Sequence, residues 1–137
     1  MNDHVHVDPA ALTKNQALVF SALSDANGPL TAYAILDELR GDGFKAPLQV
    51  YRALEKLIEG GLVHRLESLN AFVACRHPTG CSHQWAAFAI CESCGDVKEF
   101  SPDKAMDLLK DWAENDGFKL AKTTVELRGQ CPACLAT

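Results

Sequence analysis

Apolar residues recur at helical spacing three times in the first half of the chain. The three runs cover residues 12–23, 33–39 and 47–58, and a segment containing glycine follows each of them. Thr13 and Thr31 stand where N-terminal caps belong, and Pro47 suits the first turn of a helix. The pattern predicts three short helices, with Tyr33 in the apolar stripe of the second and Tyr51 in that of the third.

Two short strand-like runs follow the third helix. They cover residues 62–67 and 71–75, and Ser68-Leu69-Asn70 joins them, as is typical of a β-hairpin. Three helices followed by a hairpin predict a winged helix-turn-helix. In that fold the third helix enters the DNA major groove and the hairpin flanks it.

The second half of the chain mixes strand and helix patterns. Strand-like runs at 86–90 and 97–100 precede a helix from about 102 to 116, and a third strand is expected at 118–128. The predicted fold class is α+β, with a winged-helix domain at 1–75 and a small α/β dimerisation domain at 76–137. A three-stranded sheet with one helix leaves an open edge and a bare face, which favours a homodimer.

The composition is that of an ordinary globular protein, since 47% of the 137 residues are hydrophobic and 23% are charged. Residues 1–9 are polar and no apolar run reaches membrane-spanning length, so we expect no signal peptide, no membrane partner and a cytoplasmic location. The formal charge of -5 argues against a general polyanion binder. From Arg40 to Arg76, however, six basic residues face four acidic ones, a local balance of +2.

Four of the six cysteines form two Cys-x-x-Cys pairs, Cys91 with Cys94 and Cys131 with Cys134. In a cytoplasmic chain two such pairs favour a metal over disulfides, and their number weakens the interpretation as a redox dithiol. Four thiolates complete the tetrahedral coordination of one structural zinc ion and leave no open position for water.

The third predicted helix carries the candidate DNA contacts. We expect Arg52 to contact a base edge, because arginine reaches guanine O6 and N7 bidentately. Tyr51 suits a phosphate or a thymine methyl group, and Gln49 is polar on the same helix. Phosphate contacts are expected from Lys45, Lys56 and Arg65. A helical bundle with an incidental basic face is the alternative for any one of these residues.

Several motifs resemble a known family. Leu-Thr-Ala-Tyr-Ala-Ile-Leu at 30–36, Val-Tyr-Arg-Ala-Leu at 50–54 and Gly-Leu-Val-His-Arg-Leu-Glu-Ser at 61–68 resemble the Fur family of metal-sensing repressors. The two cysteine pairs do so as well. The resemblance covers residues 12–134 and is strongest to the zinc-sensing branch. Gln49 departs from the pattern, because the family usually has threonine there.

The resemblance to that branch implies a second, regulatory zinc site. Its ligands would be a histidine on the wing, a cysteine at the hinge, a histidine in the next loop and a glutamate after the first cysteine pair. In this chain these are His64, Cys75, His83 and Glu99. Mixed nitrogen, sulfur and oxygen ligands suit zinc. The spacing leaves His77 and Cys81 open as substitutes for His83.

Together with these patterns, the resemblance implies a zinc-responsive repressor that binds palindromic operator DNA as a homodimer and controls zinc-uptake genes. It would hold one structural and one regulatory zinc ion per chain. The alternatives are an iron- or peroxide-sensing repressor and a zinc-stabilised interaction module that does not bind DNA. We expect no enzymatic activity and no small-molecule substrate. A zinc deaminase is disfavoured because the chain has no His-x-Glu motif.

Overall fold

The computed structural model describes residues 11–75 and 85–136. Contacts divide the chain into two compact units, Met1–Cys81 and Ser82–Thr137. Residues 76–84 lie outside the described ranges, so the domain boundary between residues 75 and 76 stays a prediction. Within the described ranges, no helix is long and apolar enough to cross a membrane.

The first unit contains three helices and a two-stranded antiparallel hairpin, which confirms the predicted winged helix-turn-helix. Its elements are α1 (Lys14–Asp25), α2 (Ala32–Leu39), α3 (Pro47–Glu59), β1 (Val63–Leu66) and β2 (Ala71–Ala74). A 3₁₀ turn over Arg40–Asp42 follows α2, and Leu30 forms a single antiparallel bridge with Phe72 of β2. That bridge ties the segment before α2 to the wing.

Local sequence signals explain where the first two helices begin and end. Thr13 Oγ1 accepts from the Gln16 N–H at 3.3 Å, and Gln16 Oε1 accepts from the Thr13 N–H at 3.2 Å, which is a complete capping box. Thr31 Oγ1 accepts from the Ala34 N–H at 3.1 Å at the start of α2. Gly43 ends the following turn at φ +100°, a conformation in which a side chain would be strained.

One hydrophobic core holds the first unit together, with contributions from all three helices and both strands. The buried positions of α3 are Val50, Ala53, Leu54 and Leu57. The predicted burial of the two tyrosines is wrong, since Tyr51 is 42% exposed and Tyr33 is 64% exposed. Each lies one residue from a stripe position, and one residue turns a helix by about 100°, so both rings leave the core.

The second unit has a three-stranded sheet with strand order β4-β3-β5, a long helix and a short one. Its elements are β3 (Trp85–Cys91), β4 (Val97–Phe100), α4 (Asp103–Asp116), β5 (Thr123–Gly129) and α5 (Pro132–Leu135). β3 pairs antiparallel with β4 and parallel with β5. The predicted α/β unit is confirmed.

Two details of the second unit differ from the sequence pattern. The last strand begins at Thr123 rather than at residue 118, because 118–122 carry the chain from the end of α4 to the far side of β3. The pattern does not predict α5, which has only four residues and follows Cys131. Gly117 ends α4 in the left-handed conformation at φ +77°, as expected of a C-terminal glycine.

Leu57→Ala is expected to lower the free energy of unfolding by about 2–5 kcal/mol, because Leu57 is fully buried in the core of the first unit and its loss leaves a cavity. Leu48→Ala, on the same helix but 57% exposed, should change it by less than about 0.5 kcal/mol. Urea unfolding followed by circular dichroism measures both. Equal losses would show that α3 buries a different face.

Candidate functional sites

The first cysteine pair lies where β3 ends. Cys91 is the last residue of β3, and the chain turns so that the Cys94 N–H donates to Cys91 Sγ at 3.4 Å. Gly95 follows at φ +79°, and its N–H donates to the Cys91 carbonyl at 3.0 Å. The turn therefore directs both sulfur atoms toward the same point.

The second pair reaches this point because β5 runs parallel to β3. Gly129 at the end of β5 is the register partner of Cys91, so both strands finish at the same edge of the sheet. The Cys131 N–H donates to Cys91 Sγ at 3.4 Å. Gln130 Nε2 donates to Ser93 Oγ at 3.1 Å, which links the two turns directly.

The four sulfur atoms form a compact cluster. Cys91 and Cys134 Sγ are 3.6 Å apart, Cys94 and Cys131 Sγ are 3.7 Å apart, and all four atoms lie within 4.8 Å of one another. Sulfur atoms at the corners of a tetrahedron around zinc, with bonds of about 2.3 Å, stand about 3.8 Å apart. The cluster therefore fits a four-thiolate zinc ion.

The pKa values of the cysteine thiols in the cluster also favour a bound cation. Hydrogen bonds from the backbone of Cys94 and then of Cys131 lower the pKa of Cys91 to about 6. Hydrogen bonds with the neighbouring sulfur atoms, Cys131 first and then Cys91, raise the pKa of Cys134 to about 12. All four cysteines are free thiols, so a divalent metal can replace their protons.

The candidate regulatory ligands are distributed over both units. His64 lies on β1 opposite Val73, and Cys75 follows β2 with its N–H donating to the Leu62 carbonyl at 2.8 Å. The ligand atoms of His64 and Cys75 lie within 4.8 Å of each other. Glu99 is half-buried on β4 of the second unit. His83 and its two possible substitutes lie outside the described residues.

Cys75 is disulfide-bonded in this structure. A cysteine ligates zinc as a thiolate, so the disulfide and the metal-bound form of Cys75 exclude each other. Any test of Cys75 as a ligand therefore needs reducing conditions.

The polar face of α3 is open to solvent. Arg52 and Lys56 lie four residues apart on one face and are exposed. Lys56 Nζ forms an exposed ion pair with Glu59 Oε2 at 3.4 Å, and Lys45 is exposed on the loop before the helix. These positions leave the basic side chains available to a nucleic acid backbone.

Arg65 on the wing is held by its neighbours. Its Nη2 donates to Asn70 Oδ1 at 3.0 Å, and its Nη1 stands 3.9 Å from Glu67 Oε1. Asn70 adopts φ +49° at the hairpin turn, a conformation that asparagine tolerates better than most residues. The guanidinium keeps further donors for a phosphate.

The structure adds residues that sequence reasoning missed. A groove between the start of α1 and α3 is lined by Arg52, Lys56 and Gln49 of α3, by the cap residue Thr13, and by Asn15 and Gln16 of α1. The polar run at the start of α1 is the sequence feature from which Thr13, Asn15 and Gln16 could have been predicted. The exposed ring of Tyr33, at the start of α2, could have been found from its place outside the buried stripe.

Comparisons with known proteins agree with this geometry. The family model of the ferric uptake regulators matches residues 11–128. The zinc uptake regulation proteins of Escherichia coli (strain K12) and Shigella flexneri are each 38% identical over 125 residues, which cover 90% of this chain and 72% of theirs.

Solved structures show the same relationship. Holo XcZur is 38% identical with a TM-score of 0.82, covering 92% of this chain and 87% of its own. A zinc uptake regulator complexed with zinc and DNA is 36% identical with a TM-score of 0.85, covering 91% of this chain and 83% of its own. The resemblance seen in the motifs is thus confirmed, and the chain belongs to the ferric uptake regulator family.

Proposed function

We propose that this protein is a zinc-responsive transcriptional repressor that binds a palindromic operator as a homodimer and controls zinc-uptake genes. The observation that carries the proposal is the match over 91% of this chain to a zinc uptake regulator complexed with zinc and DNA. The exposed basic face of α3 supports the same function from the chain's own residues.

The structural zinc is assigned to Cys91, Cys94, Cys131 and Cys134. A bound zinc ion supplies the positive charge that lets four crowded thiolates coexist and cross-links the two turns. The cysteines hold the end of β5 against the end of β3, and their backbone N–H groups stabilise the thiolate of Cys91. With four sulfur ligands the site is closed to substrates, in agreement with a role in folding.

The regulatory zinc is assigned to His64, Cys75, His83 and Glu99. His64 and Cys75 are already close together within the first unit, which supports them as two of the four zinc ligands. Glu99 and His83 would both come from the second unit. Ligands drawn from both units would make the arrangement of the winged helices depend on zinc, and DNA affinity changes only as far as zinc prefers the DNA-binding arrangement.

DNA recognition is assigned to α3 and the wing. Arg52 would contact a base edge in the major groove, and Tyr51 a phosphate or a thymine methyl group. Lys45, Lys56 and Arg65 would contact phosphates and so set the position of the helix without reading sequence. Gln49 lies in the same groove.

The second unit is assigned to dimerisation. Helix α4 exposes Leu108 at 71%, Leu109 at 46% and Trp112 at 62%, all on one face. β5 is an edge strand of the sheet. Exposed apolar side chains and an unpaired strand edge are features that association with a second copy would cover.

Zinc is expected to strengthen operator binding by about 5- to 150-fold, the usual range of coupling between two sites. Fluorescence anisotropy with a duplex selected from a random library by the zinc-loaded protein, in a reducing buffer, measures the change upon mild chelation. Iron(II) in place of zinc tests the iron-sensing alternative. Unchanged affinity after removal of the exchangeable zinc would disprove the switch.

Arg52→Ala should weaken the free energy of operator binding by about 1–3 kcal/mol, because it removes a contact to a base edge.

Cys94→Ser is expected to lower the affinity for the structural zinc by more than about 100-fold, because even changes outside the ligand shell lower metal affinity by about 10- to 100-fold. Loss of that zinc should also lower the melting temperature and increase the monomer fraction. Zinc analysis after dialysis, thermal unfolding and light scattering measure these effects. A variant that retains all of its zinc and its melting temperature would contradict the assignment.

Cys75→Ser is expected to keep the fold, the dimer and one zinc ion per chain but to lose zinc-dependent operator binding. The reason is that it removes a ligand of the regulatory site and leaves the four-sulfur cluster intact. Zinc stoichiometry, light scattering and anisotropy are measured on the same sample, with Cys94→Ser as the matched change at the other site. Retained zinc dependence would show that Cys75 is not a ligand.

A further inference from the structure

Helix α3 is capped by a residue inside the helix rather than before it. The residue at the cap position, Ala46, has no side-chain acceptor, and Pro47 follows it. Gln49 Oε1 accepts from the Lys45 N–H at 2.7 Å and from the Ala46 N–H at 3.1 Å. The glutamine therefore satisfies two backbone donors that the start of the helix would otherwise leave to water.

These two contacts fix the orientation of the amide. Backbone N–H groups only donate, so the atom that faces them is the oxygen and not the nitrogen. An amide oxygen has two lone pairs, and both are used here. The other end of the amide, Nε2, carries two N–H donors, and Gln49 is half-buried in the wall of the groove that also contains Arg52 and Lys56.

A glutamine held in this way differs from the usual adenine reader. Bidentate recognition of adenine needs the amide oxygen to accept from N6 while the nitrogen donates to N7. Because Oε1 of Gln49 already accepts from the backbone, only the two N–H donors on its Nε2 remain for a base. Guanine offers two acceptors, O6 and N7, whereas cytosine offers only the N4 donor.

We propose that Gln49 is a specificity-determining residue that reads the operator as a donor only, favouring guanine and disfavouring cytosine at one position of each half-site. The inference rests on the proposed function, because it requires that α3 enters the major groove. Gln49 then has two roles at once, since the contacts that cap the helix also decide which of its atoms meets a base.

Selection from a random duplex library by the full-length, zinc-loaded protein tests the inference, with wild type, Gln49→Ala and Gln49→Glu compared at one salt concentration. The wild type should prefer guanine over cytosine at one half-site position by about 5- to 150-fold, the range of a good bidentate contact. Gln49→Ala should lose that preference. Gln49→Glu keeps an oxygen for the two backbone N–H groups and gains a free acceptor, so its preference should move to cytosine.

Asn27→Asp is the matched control. It makes the same exchange of an amide for a carboxylate at an exposed position of the first unit that does not line the groove of Gln49. Its base preferences should match those of the wild type, which separates a general effect of negative charge from loss of the donor. Helix content by circular dichroism confirms that each variant is folded.

Each other outcome has a distinct meaning. Adenine preferred over guanine by the wild type, with the preference lost in Gln49→Ala, would overturn the inference, because an amide that only donates finds more acceptors on guanine than on adenine. Identical preferences in all variants would overturn it as well and leave Gln49 as a cap alone. If zinc-loaded wild type enriches no sequence, the proposed function itself fails, a different result from an enriched site that the variants leave unchanged.

Discussion

The parallel pairing of β5 with β3 is the constraint on which the metal-binding unit depends. Cys91 and Gly129 are register partners, so each strand brings a cysteine pair to the same end of the sheet. A slip of one residue would turn the side chains of β5 to the other face and carry Cys131 away from Cys91. The cluster also supports the pairing that builds it, because the Cys131 N–H donates to Cys91 Sγ.

In the first unit, the start of α3 plays the corresponding part. Pro47 and the contacts of Gln49 fix where the helix begins, and the buried Leu57 fixes which face it turns to the core. The position of every exposed residue follows from these two facts, because a helix is rigid. Arg52 and Lys56 are therefore presented together, one turn apart, before any DNA arrives.

The two proposed zinc sites differ in the negative charge of their ligands. The structural site has four thiolates. The regulatory site has one thiolate, one carboxylate and two neutral histidines, which together carry half that negative charge. The richer sulfur shell suits a permanent ion that stabilises the fold, whereas the mixed shell with His64 and Glu99 suits an ion that exchanges. The same sheet carries Glu99 on β4 and Cys91 on β3. This sheet would therefore couple the regulatory zinc site to the structural one.

The sequence by itself determined the features that depend on neighbours within a few residues. Caps such as Thr13 and Thr31, the breaks at glycine and the apolar periodicity give the helices and the hairpin, and the two cysteine pairs give the four sulfur atoms of the cluster. Only the tertiary structure decided the direction and register of β5, the exposure of Tyr51 and the use of Gln49 Oε1. These depend on groups that meet through folding, and periodicity along the chain carries no information about which groups those are.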